Sequence, residues 1–237
     1  MRPEFSVAAI IQARMESERL PGKSLKKVFK NLSLLELVIR RVSASKNIDL
    51  VVLATSINRD CDPLVDLANR MSISVVRGSE ADVLGRFVNV INLYQPEAIV
   101  RVCADNPLVS PQEIDLLVEY YEKLDLDYAS NHTPDSGLPD GLGAEIVRAD
   151  LLRMIADQVT DHHFREHVTN YIGQNQEKYR IGTLRVPKQL WYPQARLDIN
   201  TKEDLENLRK FVSGLPPEEG PLWSSQVIVD HAKSLRL

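Results

Sequence analysis

Three cations, Arg14, Arg19 and Lys23, follow closely on the apolar run Val7–Gln12. The carboxyl end of a buried parallel strand is where open α/β sheets bind ligands. Guanidinium and ammonium groups gathered at such an end suit a polyphosphate. The ending Gly22-Lys23-Ser24 invites comparison with a Walker A loop, but that pattern requires Gly where Ser17 stands. The first strong helical pattern also begins only near Leu34, too far along to be a P-loop helix. Without further context, a loop with three cations is more often a solvated surface turn, because charged side chains are mostly exposed.

Carboxylates recur at matching places. Asp105 follows the apolar run 98–103, and Asp198 lies in Arg196-Leu197-Asp198-Ile199-Asn200-Thr201, just before a helical pattern. Two carboxylates from distant segments can share a Mg²⁺ ion, which prefers oxygen ligands and retains phosphate oxygens. Each also has a structural reading. Asp105 before Asn106-Pro107 can start a turn, and Asp198 can serve as an N-cap-like residue. Ser79 and Asp82 stand at the start of another helical pattern, where they either cap it or face an anion or polar ligand edge. His163-Phe164-Arg165-Glu166-His167 fits the H-x-x-E-H pattern of inverted zinc peptidases, with both histidines on one helical face. Two of its five positions are free and no third ligand can be named, so an ordinary helix is the preferred reading.

These residues need a scaffold, and the first half of the chain supplies an alternating one. Strands are expected at 7–12, 50–54, 73–76 and 98–103, with helices at 34–44, 63–71, 83–93 and 111–124. Such alternation predicts a parallel sheet flanked by helices. Ser110 with Pro111 and Glu113 reads as a helix start. The second half is less regular. A long loop is expected at 131–143, helices at 150–156 and 162–175, and strands at 144–147 and 180–186. A helix over 202–212 follows Thr201 as N-cap, and 214–221 reads as a linker to a terminal helix.

Composition narrows the function. At 237 residues, the chain suits one large domain, or one with a small lobe. A formal net charge of −4 and a pI near 5.8 argue against a general nucleic-acid binder, so any anion site must be local. Cys61 and Cys103 form no CxxC spacing, which implies neither a disulfide framework nor a zinc cluster and suggests a reducing compartment. Apolar runs such as 7–11 and 48–54 fall short of a bilayer span. Met1-Arg2-Pro3-Glu4 lacks the apolar region of a signal peptide. Together these features predict a soluble, cytoplasmic protein that engages neither nucleic acid nor membrane.

The stretch Ile11-Gln12-Ala13-Arg14-Met15-Glu16-Ser17-Glu18-Arg19-Leu20-Pro21-Gly22-Lys23 resembles a known signature. That signature is Ile-Gln-Ala-Arg-Met-Gly-Ser-Thr-Arg-Leu-Pro-Gly-Lys, found in cytidylyltransferase-like proteins related to the spore coat polysaccharide biosynthesis protein SpsF. The chain departs from it at Glu16 and Glu18, where the family usually has Gly and Thr. The family is similar to the synthetases of CMP-activated 3-deoxy-octulosonic acid and sialic acid. Further segments resemble its elements in order: the stretch from Arg77 to Phe87, Asp105-Asn106-Pro107-Leu108, the stretch from Leu138 to Glu145, Arg165-Glu166-His167-Val168-Thr169, and the stretch from Asp198 to Leu205. The likeness runs roughly from Val7 to Leu208.

The resemblance implies a three-layer α/β/α nucleotide-diphospho-sugar transferase fold, GT-A-like and Rossmann-like, with a mostly parallel sheet and a small additional lobe. The nucleotidyltransferase domain would span 1–213, with an acceptor and dimerisation lobe near 130–195 and a linker and helix at 214–237. The implied reaction transfers CMP from CTP to a sugar acid hydroxyl and releases pyrophosphate, in the synthesis of surface polysaccharide or glycan precursors. By likeness, Arg14, Lys23 and Asp105 are catalytic. Gln12, Ala13, Arg14, Arg19, Lys23, Ser79, Asp82 and Cys103 bind nucleotide. Asp140, Glu145, Glu166 and His167 bind acceptor, and Asp105 with Asp198 holds Mg²⁺. A homodimer is expected. Two other readings keep the fold: transfer to a phosphorylated acceptor, giving an NDP-linked product, or nucleotide binding without catalysis, hinted at by Glu16 and Glu18.

Overall fold

The computed structural model describes residues 6–237, so the leader-peptide argument from Met1-Arg2-Pro3-Glu4 concerns residues outside it. Strand β1 (Val7–Gln12) runs into the cationic loop, which returns through a short hairpin, β2 (Lys27–Phe29) and β3 (Leu32–Ser33), to α1 (Leu34–Val42). The alternation then continues through β4 (Leu50–Ser56), α2 (Asp62–Arg70), β5 (Ser74–Gly78), α3 (Val83–Tyr94), β6 (Ala98–Cys103) and α4 (Pro111–Lys123). The remainder holds β7 (Tyr128–Ser130), β8 (Glu145–Arg148), α5 (Ala149–Gln158), α6 (His162–Glu166) and α7 (Asn170–Gln174). After these come β9 (Ile181–Thr183), α8 (Lys202–Ser213) and α9 (Ser225–Leu235).

Among the described residues, seven strands form one mostly parallel sheet in the order β5-β4-β1-β6-β8-β7-β9. The first four are mutually parallel, β8 is antiparallel to β6 and to β7, and β9 is parallel to β7. Thus residues 130–195, expected to form a lobe, contribute β8 and β9 to the same sheet. Strand β1 reads as a continuous apolar run because it is covered on both faces. Its Val7, Ala9 and Ile11 enter a core shared with α1, α2, α4, α8 and α9, while Ala8 and Ile10 enter the one shared with α3, α5 and α7. The strand order reverses between β1 and β6, and at such a switch point the strand ends leave a crevice.

Local chemistry sets the element ends. The Ser110 side chain accepts from the Glu113 N–H at 3.2 Å, and Thr201 forms a capping box with Asp204. The expected helix 162–175 breaks into α6 and α7, because the chain leaves helical geometry at His167 (φ −100°, ψ 73°), and Val168 and Thr169 just after it are buried. Among the described residues no helix is long and apolar enough to cross a membrane.

The segment 214–221 is anchored at two points: Leu215 is buried, and the indole of the buried Trp223 just beyond it donates to the Pro216 carbonyl at 2.7 Å. Arg41 of α1 holds this region. Fully buried, it donates to the carbonyls of Val109 (2.8 Å), Pro221 (2.7 Å) and Trp223 (3.0 Å). Arg41→Met is expected to lower stability by about 2 kcal/mol, because buried carbonyls lose their donor. A shift of the urea midpoint at unchanged slope checks this; an unshifted midpoint would mean water replaces the guanidinium at no cost.

Candidate active site

A cavity of about 380 Å³ opens at the ends of β1 and β6, within the range of small-molecule sites. It is lined by Gln12, Ala13, Arg14, Arg19, Lys23, Cys103, Asp105, Glu166 and His167, all expected at the site from sequence. The loop reaches them through a tight turn at Gly22, whose φ of 67° favours glycine. Its cations then engage three remote segments. The Lys23 ammonium donates to Asp105 Oδ2 at 3.1 Å and to the Ile199 carbonyl at 2.8 Å. Arg19 donates to Asn200 Oδ1 at 2.8 Å, and Arg14 to Glu166 Oε1 at 3.1 Å. Both arginines are partly or fully exposed, and such pairs are worth about 0–1 kcal/mol, so an arriving phosphate can displace their partners.

Arg86, which falls inside the stretch from Arg77 to Phe87, also lines the cavity. Its side chain is buried, its Nη1 donates to the carbonyls of Ser79 and Glu80, and its Nε has no partner among the described residues. Burial, with Arg14 nearby, lowers its pKa. The signal for it was present: Val83, Phe87, Val90 and Ile91 repeat at helical spacing on the core face of α3, and Arg86 falls on that face. Cys103 keeps its proton, since burial pushes its thiol up to about 12. Burial lowers the His167 pKa below its usual value, which favours a neutral ring.

Five expected site residues do not line this cavity. Ser79 does not cap α3; Asp82 does, accepting from the Gly85 N–H at 2.8 Å. The Asp82 carboxylate also takes two bonds from Arg165, at 2.9 and 2.7 Å. Burial works to raise its pKa, but Arg165 and the Gly85 N–H outweigh it and hold the carboxyl low. Asp140 pairs through its backbone with the chain around Arg196, its N–H donating to the Ala195 carbonyl at 3.0 Å, and burial together with nearby Asp198 raises its side-chain pKa. Glu145 lies beneath the cavity in a buried network. Asp198 does not join Asp105: its carboxylate takes Arg196 Nη2 at 3.1 Å and the Asn200 amide, and Asn200 is the neighbour that reaches the cavity. Nor is Asp198 a helix cap, since Thr201 fills that position.

The His163 and His167 rings lie side by side, as a shared helical face implies, and the His167 N–H donates to the His163 carbonyl at 2.9 Å. Helix α6 ends at Glu166, His163 turns to Asn170, and the two ring centroids are 4.8 Å apart. Among the described residues no cluster of three or more His, Cys, Asp or Glu is arranged to hold a metal ion.

Glu16 and Glu18 do line the cavity, opposite in sign to the loop cations. Replacing both, by Glu16→Gly with Glu18→Thr, is expected to tighten triphosphate binding about two- to fivefold at low salt, fading as salt rises. Calorimetry with CTP checks this; unchanged or weaker binding would mean the carboxylates turn away from the phosphates.

The sequence model of the Cytidylyltransferase family matches residues 8–229. The chain is 39% identical over 205 residues to the spore coat polysaccharide biosynthesis protein SpsF of Bacillus subtilis strain 168, covering 84% of this chain and 83% of that one. Among solved structures it is similar to a cytidylyltransferase from Leptospira borgpetersenii, with a TM-score of 0.88 and 27% identity over 98% and 96% of the two chains. The fold is also shared with a CMP:2-keto-3-deoxy-manno-octonic acid synthetase solved in complex with CTP. There the TM-score is 0.68 and the identity 15%, over 88% of this chain and 98% of the other.

Proposed function

The chain belongs to the cytidylyltransferase family and is thus a transferase; from this we propose that it moves CMP from CTP to the hydroxyl of a sugar acid. The observation that carries the reading is the gathering of Arg14, Arg19 and Lys23 with Asp105 around one cavity. The CTP bound to the octonic acid synthetase supports the nucleotide, that enzyme's name supports a sugar acid, and the SpsF likeness supports a role in polysaccharide synthesis. Family likeness also supports a cytoplasmic homodimer, with residues 130–195 supplying the acceptor side and the subunit contact.

In this reaction the acceptor hydroxyl gives up its proton to solvent as its oxygen bonds to the α-phosphorus of CTP. The bond from that phosphorus to the bridging oxygen breaks, and pyrophosphate leaves with the electron pair. Arg14, Arg19 and Lys23 take up the charge that grows on the β and γ phosphates. Direct in-line displacement at the α-phosphorus needs no covalent enzyme intermediate.

Mg²⁺ is the proposed cofactor, and the donor set fits it. Asp105 gives Oδ2 to Lys23, while its Oδ1 has no protein partner among the described residues. Magnesium is commonly held by one or two carboxylates plus substrate phosphates and water, so no cage of protein ligands is required. Asp105 would hold it, and Asp198 would join once its carboxylate leaves Arg196. When bound, the ion screens the α-phosphate and lowers the pKa of the acceptor hydroxyl.

Pyrophosphate release, screened with four nucleoside triphosphates against sugar acids and sugar phosphates, tests the reading. Turnover with CTP and a sugar acid is the expected result. Turnover only with sugar phosphates would shift the acceptor class, and none with any pair would leave a binding protein.

A further inference from the structure

Gln12, the last residue of β1, lines the cavity with half of its amide committed. Its Oε1 accepts from Arg101 Nε at 3.1 Å, whereas its amide nitrogen has no protein partner among the described residues. This orientation is dictated by Arg101. A guanidinium carries donors and no acceptor, so it can meet the carbonyl end of the amide but not the NH₂ end. Turning the amide over would set two donors against each other.

Arg101 is itself fixed from below. On β8, Glu145 stands directly across from it in the antiparallel register with β6. The Glu145 carboxylate accepts from Arg101 Nη1, from the Thr169 hydroxyl at 2.7 Å and from the Tyr128 hydroxyl at 2.5 Å; His132 Nε2 lies 3.3 Å away. Thr169 closes the ring by accepting from Arg101 Nη1 at 3.1 Å. The side chains of Arg101 and Glu145 are 13% and 7% exposed, too enclosed for Glu145 to meet an acceptor as the sequence motif suggested. A buried ion pair is a poor source of net stability, since desolvation offsets its attraction. What it supplies is a single arrangement, in which the free NH₂ end of Gln12 is left to a ligand in the cavity.

We propose that Gln12 is a fixed donor with which the cavity reads an oxygen atom of the nucleotide, and that Arg101 and Glu145 are its positioning residues. The proposal rests on the cytidylyl-transfer reading. The oxygen belongs either to the pyrimidine carbonyl or to a phosphoryl group, and both are acceptors the amide can serve.

Calorimetry with two probes, CTP and inorganic tripolyphosphate, tests it. Gln12→Met is expected to weaken CTP binding about tenfold, the effect of one neutral hydrogen bond. Gln12→Glu, which still accepts from Arg101 but has no donor, should lose at least as much. Weakening confined to CTP assigns the pyrimidine carbonyl, and weakening shared with tripolyphosphate assigns a phosphoryl oxygen. Glu145→Gln should weaken CTP too, yet add nothing in combination with Gln12→Met, because residues acting through one contact are not additive. Where Glu145→Gln does not fold, Arg101→Lys, which keeps the charge but loses the fork, takes its place in the cycle. CTP affinity within twofold of wild type in a folded Gln12→Met protein would overturn the donor role. Additive losses in the cycle would overturn the positioning role. Wild-type protein that binds neither probe would overturn the transfer reading, and the proposal with it, before any variant is made.

Discussion

Asp105→Asn is expected to reduce pyrophosphate release about 10³-fold or more, the scale of several kcal/mol of transition-state charge stabilisation, while the protein remains folded. Asp105 lies in the turn just after β6, with its carbonyl accepting from the Ile199 N–H at 2.9 Å and its carboxylate on Lys23 at 3.1 Å. With the Asp105 side chain 31% exposed, the ion pair belongs to the partly solvated class worth about 0–1 kcal/mol, so the fold should survive its loss. Asparagine keeps an oxygen for the ammonium but gives up the negative charge that a divalent cation needs. Turnover measured across a magnesium titration, together with a melting curve, separates the two roles. Activity within about tenfold of wild type at saturating magnesium would reduce Asp105 to a support for Lys23.

Much of this arrangement is legible in the residues, for reasons that differ by element. Strand β1 is plain because it is apolar on both faces, and α4 and α8 are plain because Ser110 and Thr201 announce them. The hairpin β2–β3 and the short β7 leave no period to read. Phe29 of β2 is placed by its edge contact with Trp223, with ring centroids 4.7 Å apart, and that partner lies far downstream. Periodicity also says nothing of strand direction, so the antiparallel insertion of β8 beside β6 could not be foreseen.

The candidate site divides the same way. The strand-end rule brings the cationic loop to Asp105 correctly, because a parallel sheet leaves its carboxyl ends on one edge. It cannot choose between Asp198 and Asn200. That choice depends on Arg196, two residues before Asp198, which captures the carboxylate and leaves Asn200 to meet Arg19. Glu145 was hidden by a similar rule: a carboxylate in a motif looks like a ligand contact until strand pairing puts an arginine against it.

Lys23→Ala is expected to cost about 10²-fold or more in turnover, the common worth of one preorganised transition-state donor. Preorganisation is what distinguishes Lys23 from the other loop cations. Its side chain is 15% exposed, against 41% for Arg14, and two fixed acceptors, Asp105 Oδ2 and the Ile199 carbonyl, aim its ammonium. Arg14 and Arg19 must first leave their partners and reorder long exposed side chains, so alanine at either should cost less than at Lys23. Steady-state kinetics with CTP and magnesium check the order. A fall in kcat and kcat/KM together means an interaction made only in the transition state, whereas a rise in KM alone means uniform binding of the triphosphate. The double variant sharpens the point. Lys23 and Asp105 touch, so if the ammonium acts where the carboxylate holds the ion, Lys23→Ala on top of Asp105→Asn should cost far less than the product of the two single losses. Full additivity would mean that two groups 3.1 Å apart serve separate events.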